Sequence, residues 1–361
     1  MSALKDKVLA ALRTVQDPDL KRDLVTLNMI KSVEVDEAAG TVAVEVELTT
    51  PACPLKKKIE DDCRAAIAKV PGINKIDITM SARVTTAGQP EGKTALPGVK
   101  NVVAIGSGKG GVGKSTTATN IAVALKELGA RVALLDLDIY GPNVPGMMGV
   151  TGRPKVINKR IIPIEANGVQ TMSMGFLVSE DQPLVWRGPM LHGVMKQLIF
   201  DVAWGDVDYL VIDLPPGTGD VQLSLSQMVH VNGSVIVTTP QNVALQDVRK
   251  GLAMFQKVEI PVIGIVENMS YHLCPACGHR DEIFDHGGGE RVAAELGLNF
   301  FGAVPLNSEI RRSMDIGRPV AGVRGSEFYK IYRAVAERVA QEVAIRNAAG
   351  GSVPIATIKA D

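Results

Sequence analysis

Apolar positions along the chain follow two different rhythms, and the change between them divides it. Near the start, Leu4, Val8, Leu12 and Val15 recur at helical spacing, and Asp17-Pro18-Asp19 breaks that helix. Val33 and Val35 predict a strand, and Gly40 marks a turn. Val42, Val44, Val46 and Leu48 then alternate with Ala43, Glu45 and Glu47, the pattern of a strand with one face buried. Pro51-Ala52-Cys53-Pro54 opens a second helix running to about Val70, Pro71-Gly72 ends it, and Ile73, Ile76 and Ile78 lead into a last strand. Residues 1–85 thus predict a small α+β domain of order α–β–β–α–β.

Residues 86–98, rich in Gly, Pro and Thr, have the composition of a linker. Beyond them the texture changes. Short, continuously apolar runs at Asn101–Ile105, Arg131–Asp136, Tyr209–Asp213, Ser234–Thr238 and Val262–Val266 alternate with helical patterns. Such strands are buried on both faces, so residues 99–346 predict an α/β domain with a mostly parallel sheet flanked by helices. A helical stretch at Phe328–Ile345 closes it, and the small, irregular residues 347–361 predict a flexible tail. No internal repeat interrupts this order.

Composition sharpens the picture in three ways. With 361 residues, 46% of them apolar but only 4% aromatic, two cores built from aliphatic side chains are expected. Lys plus Arg and Asp plus Glu both number 39, so no bulk charge favours nucleic acid or an acidic membrane surface as partner. The N-terminus has no apolar signal core and no run approaches the ~18 apolar residues of a membrane span. With only Cys53, Cys63, Cys274 and Cys277, no disulfide framework is expected, and the thiols should stay reduced in a cytoplasmic setting.

The chemistry concentrates in Gly108-Lys109-Gly110-Gly111-Val112-Gly113-Lys114-Ser115-Thr116. A Gly-x4-Gly-Lys-Ser run between the strand Val102–Ile105 and the helix Ser115–Leu128 matches the Walker A pattern. Its glycines let backbone N–H groups curl round phosphate oxygens, and the helix N-terminus adds positive potential. Lys114 is expected on the β- and γ-phosphates, Ser115 on Mg²⁺ and Thr116 beside the phosphates. A glycine-rich turn without a ligand is the plainer alternative, and the strand–loop–helix context argues against it. Val211-Ile212-Asp213 has the look of Walker B, with Asp213 holding Mg²⁺ through water, and Pro215-Pro216-Gly217-Thr218-Gly219-Asp220 reads as a switch loop sensing the γ-phosphate.

The other informative run is Cys274-Pro275-Ala276-Cys277-Gly278-His279. Its two sulfurs can reach one metal, and three readings stand side by side. The pair binds zinc with His272, His279 or His286. It is a redox dithiol, although no thioredoxin-like context surrounds it. Or two chains each donate two thiolates, together the four that a [4Fe–4S] cluster takes. Cys53, at a helix start where the dipole lowers a thiol's pKa, is either an auxiliary ligand or a cap position, and Cys63 reads as packing.

Two resemblances follow from these residues. Gly108–Thr116, with its early lysine, resembles the deviant Walker A motif of the ParA/MinD and nitrogenase-iron-protein ATPases, P-loop NTPases of the SIMIBI type. That likeness implies an ATP-linked homodimer in which Lys109 reaches the partner's nucleotide. It also implies that Asp138, in Asp136-Leu137-Asp138, orients the attacking water, and that Asn268 reads the adenine edge unless it is merely a turn residue. More specifically, Asp138-Ile139-Tyr140-Gly141-Pro142-Asn143, Trp186-Arg187-Gly188-Pro189-Met190, Asp213–Asp220, Glu267-Asn268-Met269-Ser270 and Cys274–Cys277 resemble the Mrp/ApbC-type iron–sulfur cluster carrier ATPases over about residues 95–345. Asp17-Pro18-Asp19-Leu20 and Thr49 to Pro54 resemble the small domain of cluster-assembly proteins that often precedes that ATPase.

The likeness implies a slow, switch-type ATP hydrolase. It would hold a labile [4Fe–4S] cluster at a dimer interface on Cys274 and Cys277. It would receive the cluster with the help of cluster-assembly factors and pass it to apo-protein clients. Two departures stand out. The extra four-cysteine site of eukaryotic cytosolic members is absent, and the family's Phe-Gly-x-Gly-Gly-Gly run reads Phe284-Asp285-His286-Gly287-Gly288-Gly289. The rivals are a zinc-dependent regulatory or metal-insertion GTPase and a positioning ATPase. The first lacks a guanine signature, and the second lacks the basic amphipathic C-terminal helix expected of it.

Overall fold

The computed structural model describes residues 3–86, 94–177, 188–217 and 219–350. Residues 87–93 of the expected linker, Trp186 and Arg187, Thr218 of the switch loop and the tail from 351 lie outside the described residues.

The first unit runs α1 (Ala3–Leu12), β1 (Ile30–Asp36), β2 (Thr41–Leu48), α2 (Lys56–Ile67) and β3 (Lys75–Ala82), as the periodicity predicts. Strand β2 is central, antiparallel to β1 and parallel to β3. Its alternation works as expected: Val42, Val44, Val46 and Leu48 are all buried. They pack under Val8 and Leu12 of α1 and Ile59, Cys63 and Ile67 of α2. Helix α2 starts later than the sequence suggests, because a residue before proline avoids helical backbone and Cys53 precedes Pro54.

The large unit runs β4 (Val99–Gly106), α3 (Lys114–Glu127), β5 (Val132–Asp136), α4 (Val144–Met148), the hairpin β6 (Lys155–Ile157) and β7 (Arg160–Ile162), β8 (Ile164–Ala166), β9 (Val169–Ser173), α5 (Gly188–Phe200) and β10 (Val207–Asp213). It continues with α6 (Asp220–Met228), β11 (Gly233–Thr238), α7 (Asn242–Lys257), β12 (Val262–Glu267), the hairpin β13 (His272–Leu273) and β14 (Arg280–Asp281), α8 (Gly288–Glu295), β15 (Asn299–Ala303), α9 (Ser308–Asp315) and α10 (Glu327–Ala348). Eight strands form one sheet in the order β15-β12-β11-β4-β10-β5-β9-β8, parallel except for the edge strand β8. Strands β8, β9 and β15 were not legible: they are short, lie towards the sheet edges, and mix polar with apolar residues.

Period-two side-chain direction splits the core in two. On β4, Val103 and Ile105 face α3 and α10, packing with Ile121, Leu125, Tyr332 and Val339. Val102 and Ala104 face the other way, into a core with Leu198, Leu225 and Phe255 from α5, α6 and α7. The aliphatic composition suffices because both faces of every central strand are covered.

The small unit is seated on the first of these faces. Ala52 and Val84 are buried in the core beneath α3 and α10. The Tyr209 hydroxyl donates to Thr50 Oγ1 (3.0 Å), Asn347 Nδ2 to the Thr85 carbonyl (2.8 Å) and Gln341 Nε2 to Asp19 Oδ1 (2.8 Å). This seat also corrects the expectation for Cys53. Burial pushes its thiol up to about 11, and the amide of Leu55 at the start of α2 does not compensate.

Tyr209→Phe deletes only the buried hydroxyl that ties the β10 core to Thr50. It is expected to lower unfolding stability by about 1 kcal/mol, read as a reduced urea midpoint at unchanged slope. An unchanged midpoint would mean that this bond contributes nothing to the seat.

Candidate functional site

The site is assembled at the carboxyl ends of the parallel strands, where open α/β sheets bind ligands. Register brings Asp213 at the end of β10 level with Asp136 at the end of β5, beside Ile105 near the end of β4. Between β4 and α3 the chain turns through residues 107–113. Two of its glycines are sterically required. A Cβ on Gly108 would lie 2.5 Å from the backbone of Asp247 in α7. One on Gly113, which has φ +82°, would lie 2.1 Å from Asn268 Nδ2.

Helix α3 starts at Lys114, whose ammonium is buried among carboxylates. Its Nζ lies 2.7 Å from Asp213 Oδ1 and 3.3 Å from Asp138 Oδ2, with Ser115 Oγ also at 3.3 Å. Asp136 Oδ1 accepts from the amide of Asp138 (3.0 Å), and its Oδ2 accepts from Ser173 Oγ (3.0 Å). Burial and the nearby Asp213 push the Asp136 carboxyl up to about 8. Asp213 is also raised, by complete burial against the opposing pull of Lys114. Asp213 Oδ2 is buried with no hydrogen-bond partner. A buried carboxylate oxygen left over, beside a hydroxyl and a lysine at a helix start, is the donor set that a magnesium-bound phosphate would complete.

The other sequence-predicted residues are distributed around this centre. Gly217 of the switch loop donates its amide to the Ser107 carbonyl (3.0 Å), and Gln222 Nε2 secures the loop through the carbonyls of Pro215 (3.0 Å) and Gly217 (3.1 Å). Lys109 is half-buried at the loop's start, while Gly110 and Gly111 are exposed. Asn268 is buried, and its Nδ2 donates to the Val112 carbonyl (2.8 Å), so here the side chain braces the phosphate loop. That brace joins two segments remote in sequence and could not be read from either.

Six residues further on, β13 and β14 present the cysteine pair on a tight turn. The Gly278 amide donates to the Cys274 carbonyl (2.8 Å) and the Cys274 amide to the His279 carbonyl (2.9 Å). Amides of Cys277 and Ala276 aimed at the Cys274 sulfur hold its thiol below the ordinary range. Cys274 is half-buried and Cys277 exposed, the posture of ligands that face outward. Two of the candidate histidines are engaged elsewhere: His272 Nδ1 lies 3.0 Å from the Leu306 carbonyl and His286 Nδ1 2.5 Å from Ser270 Oγ. Among the described residues, no three His, Cys, Asp or Glu side chains converge as one metal site. The departure at Asp285 is also explained: it has φ +73°, the left-handed backbone that the resembling family meets with glycine and that aspartate tolerates.

The sheet order, the phosphate loop and the acids at the strand ends define a P-loop NTPase. Among solved structures, a nucleotide-binding protein from Archaeoglobus fulgidus in complex with ADP is 35% identical with a TM-score of 0.57, over 64% of this chain and 91% of that one. The cell division ATPase MinD of Pyrococcus furiosus shares the fold at a TM-score of 0.50 and 22% identity, over 66% of this chain and 98% of that one. The chain belongs to the NUBPL iron-transfer P-loop NTPase family, whose model matches residues 98–340, and a model described as iron–sulfur cluster assembly protein matches residues 5–80. Relatives named iron–sulfur cluster carrier protein are 46% identical in Synechocystis (94% of this chain, 98% of that one) and 49% identical in Deinococcus radiodurans (95% and 97%). Another, from Escherichia coli, is 43% identical over 94% of this chain and 93% of that one.

The raised Asp136 carboxyl has a signed consequence. The folded state keeps this proton up to about pH 8, whereas an unfolded aspartate loses it near its ordinary value. Asp136 therefore favours the folded state at low pH, and its contribution declines as pH rises through that window. Asp136→Asn should flatten the fall in stability between about pH 4 and 8, measured by urea unfolding at each pH. A parallel pH profile in the variant would sink this assignment.

Proposed function

We propose that this protein binds and hydrolyses ATP with Mg²⁺ and uses the cycle to carry a labile [4Fe–4S] cluster, its cargo, between assembly factors and apo-protein clients. The carrier role comes from its relatives' names, and the particular site residues are this chain's own. One observation supports the reading best: an outward-facing pair of thiols stands six residues from a side chain that grips the phosphate loop. A pair offers half the thiolates of a cubane cluster, so two chains are needed, each giving Cys274 and Cys277. Residues 1–85 serve as an accessory domain, joined through 86–98 to the ATPase at 99–346; of the tail expected at 347–361, Asn347 and Ala348 instead continue α10, and Asn347 holds the Thr85 carbonyl.

At the nucleotide end, the amides of Gly108 to Gly113 and the start of α3 bind phosphate oxygens, and Thr116 stands beside them. Lys114 leaves its carboxylates to neutralise β- and γ-phosphate charge, and Ser115 and Asp213 hold Mg²⁺, which screens the same charge when bound. Asp138, released by Lys114, orients the attacking water. Lys109 reaches the nucleotide of the second copy, and Asn268 reaches the adenine edge after leaving Val112. Among the described residues no helix is long and apolar enough to cross a membrane, and we place the protein's work in the cytoplasm, with neither nucleic acid nor membrane as partner. A zinc site within one chain is the second reading; that no three His, Cys, Asp or Glu side chains converge as one metal site among the described residues weighs against it.

Lys114→Ala should abolish turnover and weaken nucleotide binding. Asp138→Ala should still bind ATP while hydrolysing it roughly 100-fold more slowly, the usual scale for losing a group that positions a proton-transfer partner. Phosphate release and a fluorescent-nucleotide titration separate the two; parental turnover in Asp138→Ala would remove it from the mechanism.

Anaerobic reconstitution with iron and sulfide should give about four irons per dimer and visible charge-transfer absorption. Cys274→Ala or Cys277→Ala should lose both and keep ATP binding, while Cys53→Ala and Cys63→Ala keep the cluster. One zinc per chain, with neither iron nor sulfide, would replace the carrier reading with the zinc one.

A further inference from the structure

Between the nucleotide brace and the cysteine turn lies a segment whose hydrogen bonds are unusually complete for a connection. Glu267 ends β12 fully buried. Its carboxylate accepts from the amides of Gly287 (2.9 Å) and Gly289 (2.6 Å) at the start of α8 and from Ser270 Oγ (2.6 Å). Asn268 holds the Val112 carbonyl, and Met269 follows at φ +55°, a left-handed kink that an unbranched side chain adopts only under constraint. The kink turns Ser270, also fully buried, back towards Glu267. Ser270 has a single hydroxyl proton, and the carboxylate can only accept. With that hydroxyl donated to Glu267, Ser270 Oγ is left to accept, and His286, 2.5 Å away, donates to it through Nδ1–H.

The lacing continues outward. The Ser270 amide donates to the Val304 carbonyl (2.9 Å) and the Leu306 amide to the Tyr271 carbonyl (2.7 Å), while His272 Nδ1 meets the Leu306 carbonyl (3.0 Å). The Tyr271 ring meets His286 edge-on at 6.3 Å and carries Arg280 of β14 over its face at 4.3 Å. Every residue from Glu267 to His272 except Met269 is thus fastened at a named atom, from the phosphate loop to the strands that hold Cys274 and Cys277.

We infer that Ser270 and His286 are positioning residues: with Glu267 they fasten residues 267–272 into a rigid strap that passes a rearrangement of the phosphate loop to the Cys274–Cys277 turn. The physical reason lies at both ends. Asn268 Nδ2 donates to the Val112 carbonyl (2.8 Å), so a loop that reshapes around phosphate at Val112 either draws Asn268 with it or breaks that bond. A loose connection would absorb that displacement within a residue or two. A strap hydrogen-bonded at Glu267, Ser270 and His286 carries it to Tyr271 and Arg280 and so to the cysteine hairpin. Coupling between two sites needs such an element with linked arrangements, rather than mere proximity.

The strap depends on the ATP-dependent carrier reading for its purpose, but its test does not require a cluster. Cluster-free full-length protein is alkylated with iodoacetamide, with and without the magnesium complex of a non-hydrolysable ATP analogue. Modification of each cysteine is followed by mass spectrometry, with buried Cys63 as internal reference. In the parent chain, nucleotide is expected to change the Cys274 and Cys277 rates by about fivefold or more, the lower end of ordinary allosteric coupling. Ser270→Ala and His286→Ala should bring that ratio close to one, and His286→Asn, whose side-chain N–H can replace Nδ1–H, should restore it. A nucleotide-induced rise in Tm in each variant shows that the fold and phosphate loop survive. A ratio near one in the parent chain, or an undiminished ratio in Ser270→Ala and His286→Ala, overturns the strap. Reconstitution that fails to hold iron while the alkylation ratios behave as expected overturns the carrier reading and leaves the strap standing.

Discussion

The ammonium of Lys114 is buried between two carboxylates, and much of the large unit's architecture makes that tolerable. Removing a charge from water costs several kcal/mol unless a partner and further hydrogen bonds compensate. Here the partners come from strand ends distant in sequence, Asp213 and Asp138 at 2.7 and 3.3 Å, aligned because β10 is parallel to both β4 and β5. One cation faces Asp136, Asp138 and Asp213, and one carboxylate oxygen is left unpartnered; burial first, and then the neighbouring carboxylates, lift the Asp136 and Asp213 carboxyls. The arrangement is therefore poised: added positive charge, or phosphate drawing Lys114 away, changes the balance for every member at once.

The same poise gives the rest of the site its direction. The phosphate loop is held from outside as well as by its own turn, because Asn268 grips Val112 from the end of β12 and Gly217 grips Ser107 from the end of β10. The phosphate loop is thus hydrogen-bonded to two neighbouring segments, one following β10 and the other running from β12 to the hairpin that carries Cys274 and Cys277. Cys274 and Cys277 share a tight turn whose amides favour the Cys274 thiolate, and no third ligand converges on the pair among the described residues.

The small unit stands apart from this machinery. It is fastened to α10 and to the base of β10 through Asp19, Thr50 and Thr85, and Cys53 lies at that seat with its thiol kept protonated by burial. A cysteine at a helix start is activated only when the helix amides outweigh desolvation. Here they do not, so its position along the chain misled about its chemistry.

How much could be read without coordinates follows the range of each interaction. The α–β–β–α–β order, the five central strands, α3, α10 and the phosphate loop are local: apolar period, glycine and proline punctuation and one nine-residue motif specify them. The cysteine turn, too, is encoded within six residues. The edge strands β8 and β15 and the short β9 beside β8 escaped because they owe their pairing to neighbours rather than to their own mixed pattern. The tertiary structure alone decided that Lys114 would rest on Asp213 and Asp138, that Asn268 would brace the phosphate loop, and that Ser270, His286 and Glu267 would meet. The contacts of Lys114 with Asp213 and of Asn268 with Val112 join residues far apart along the chain that meet only when the parallel sheet brings its strand ends to one edge, and a pattern read along the chain carries no record of that meeting.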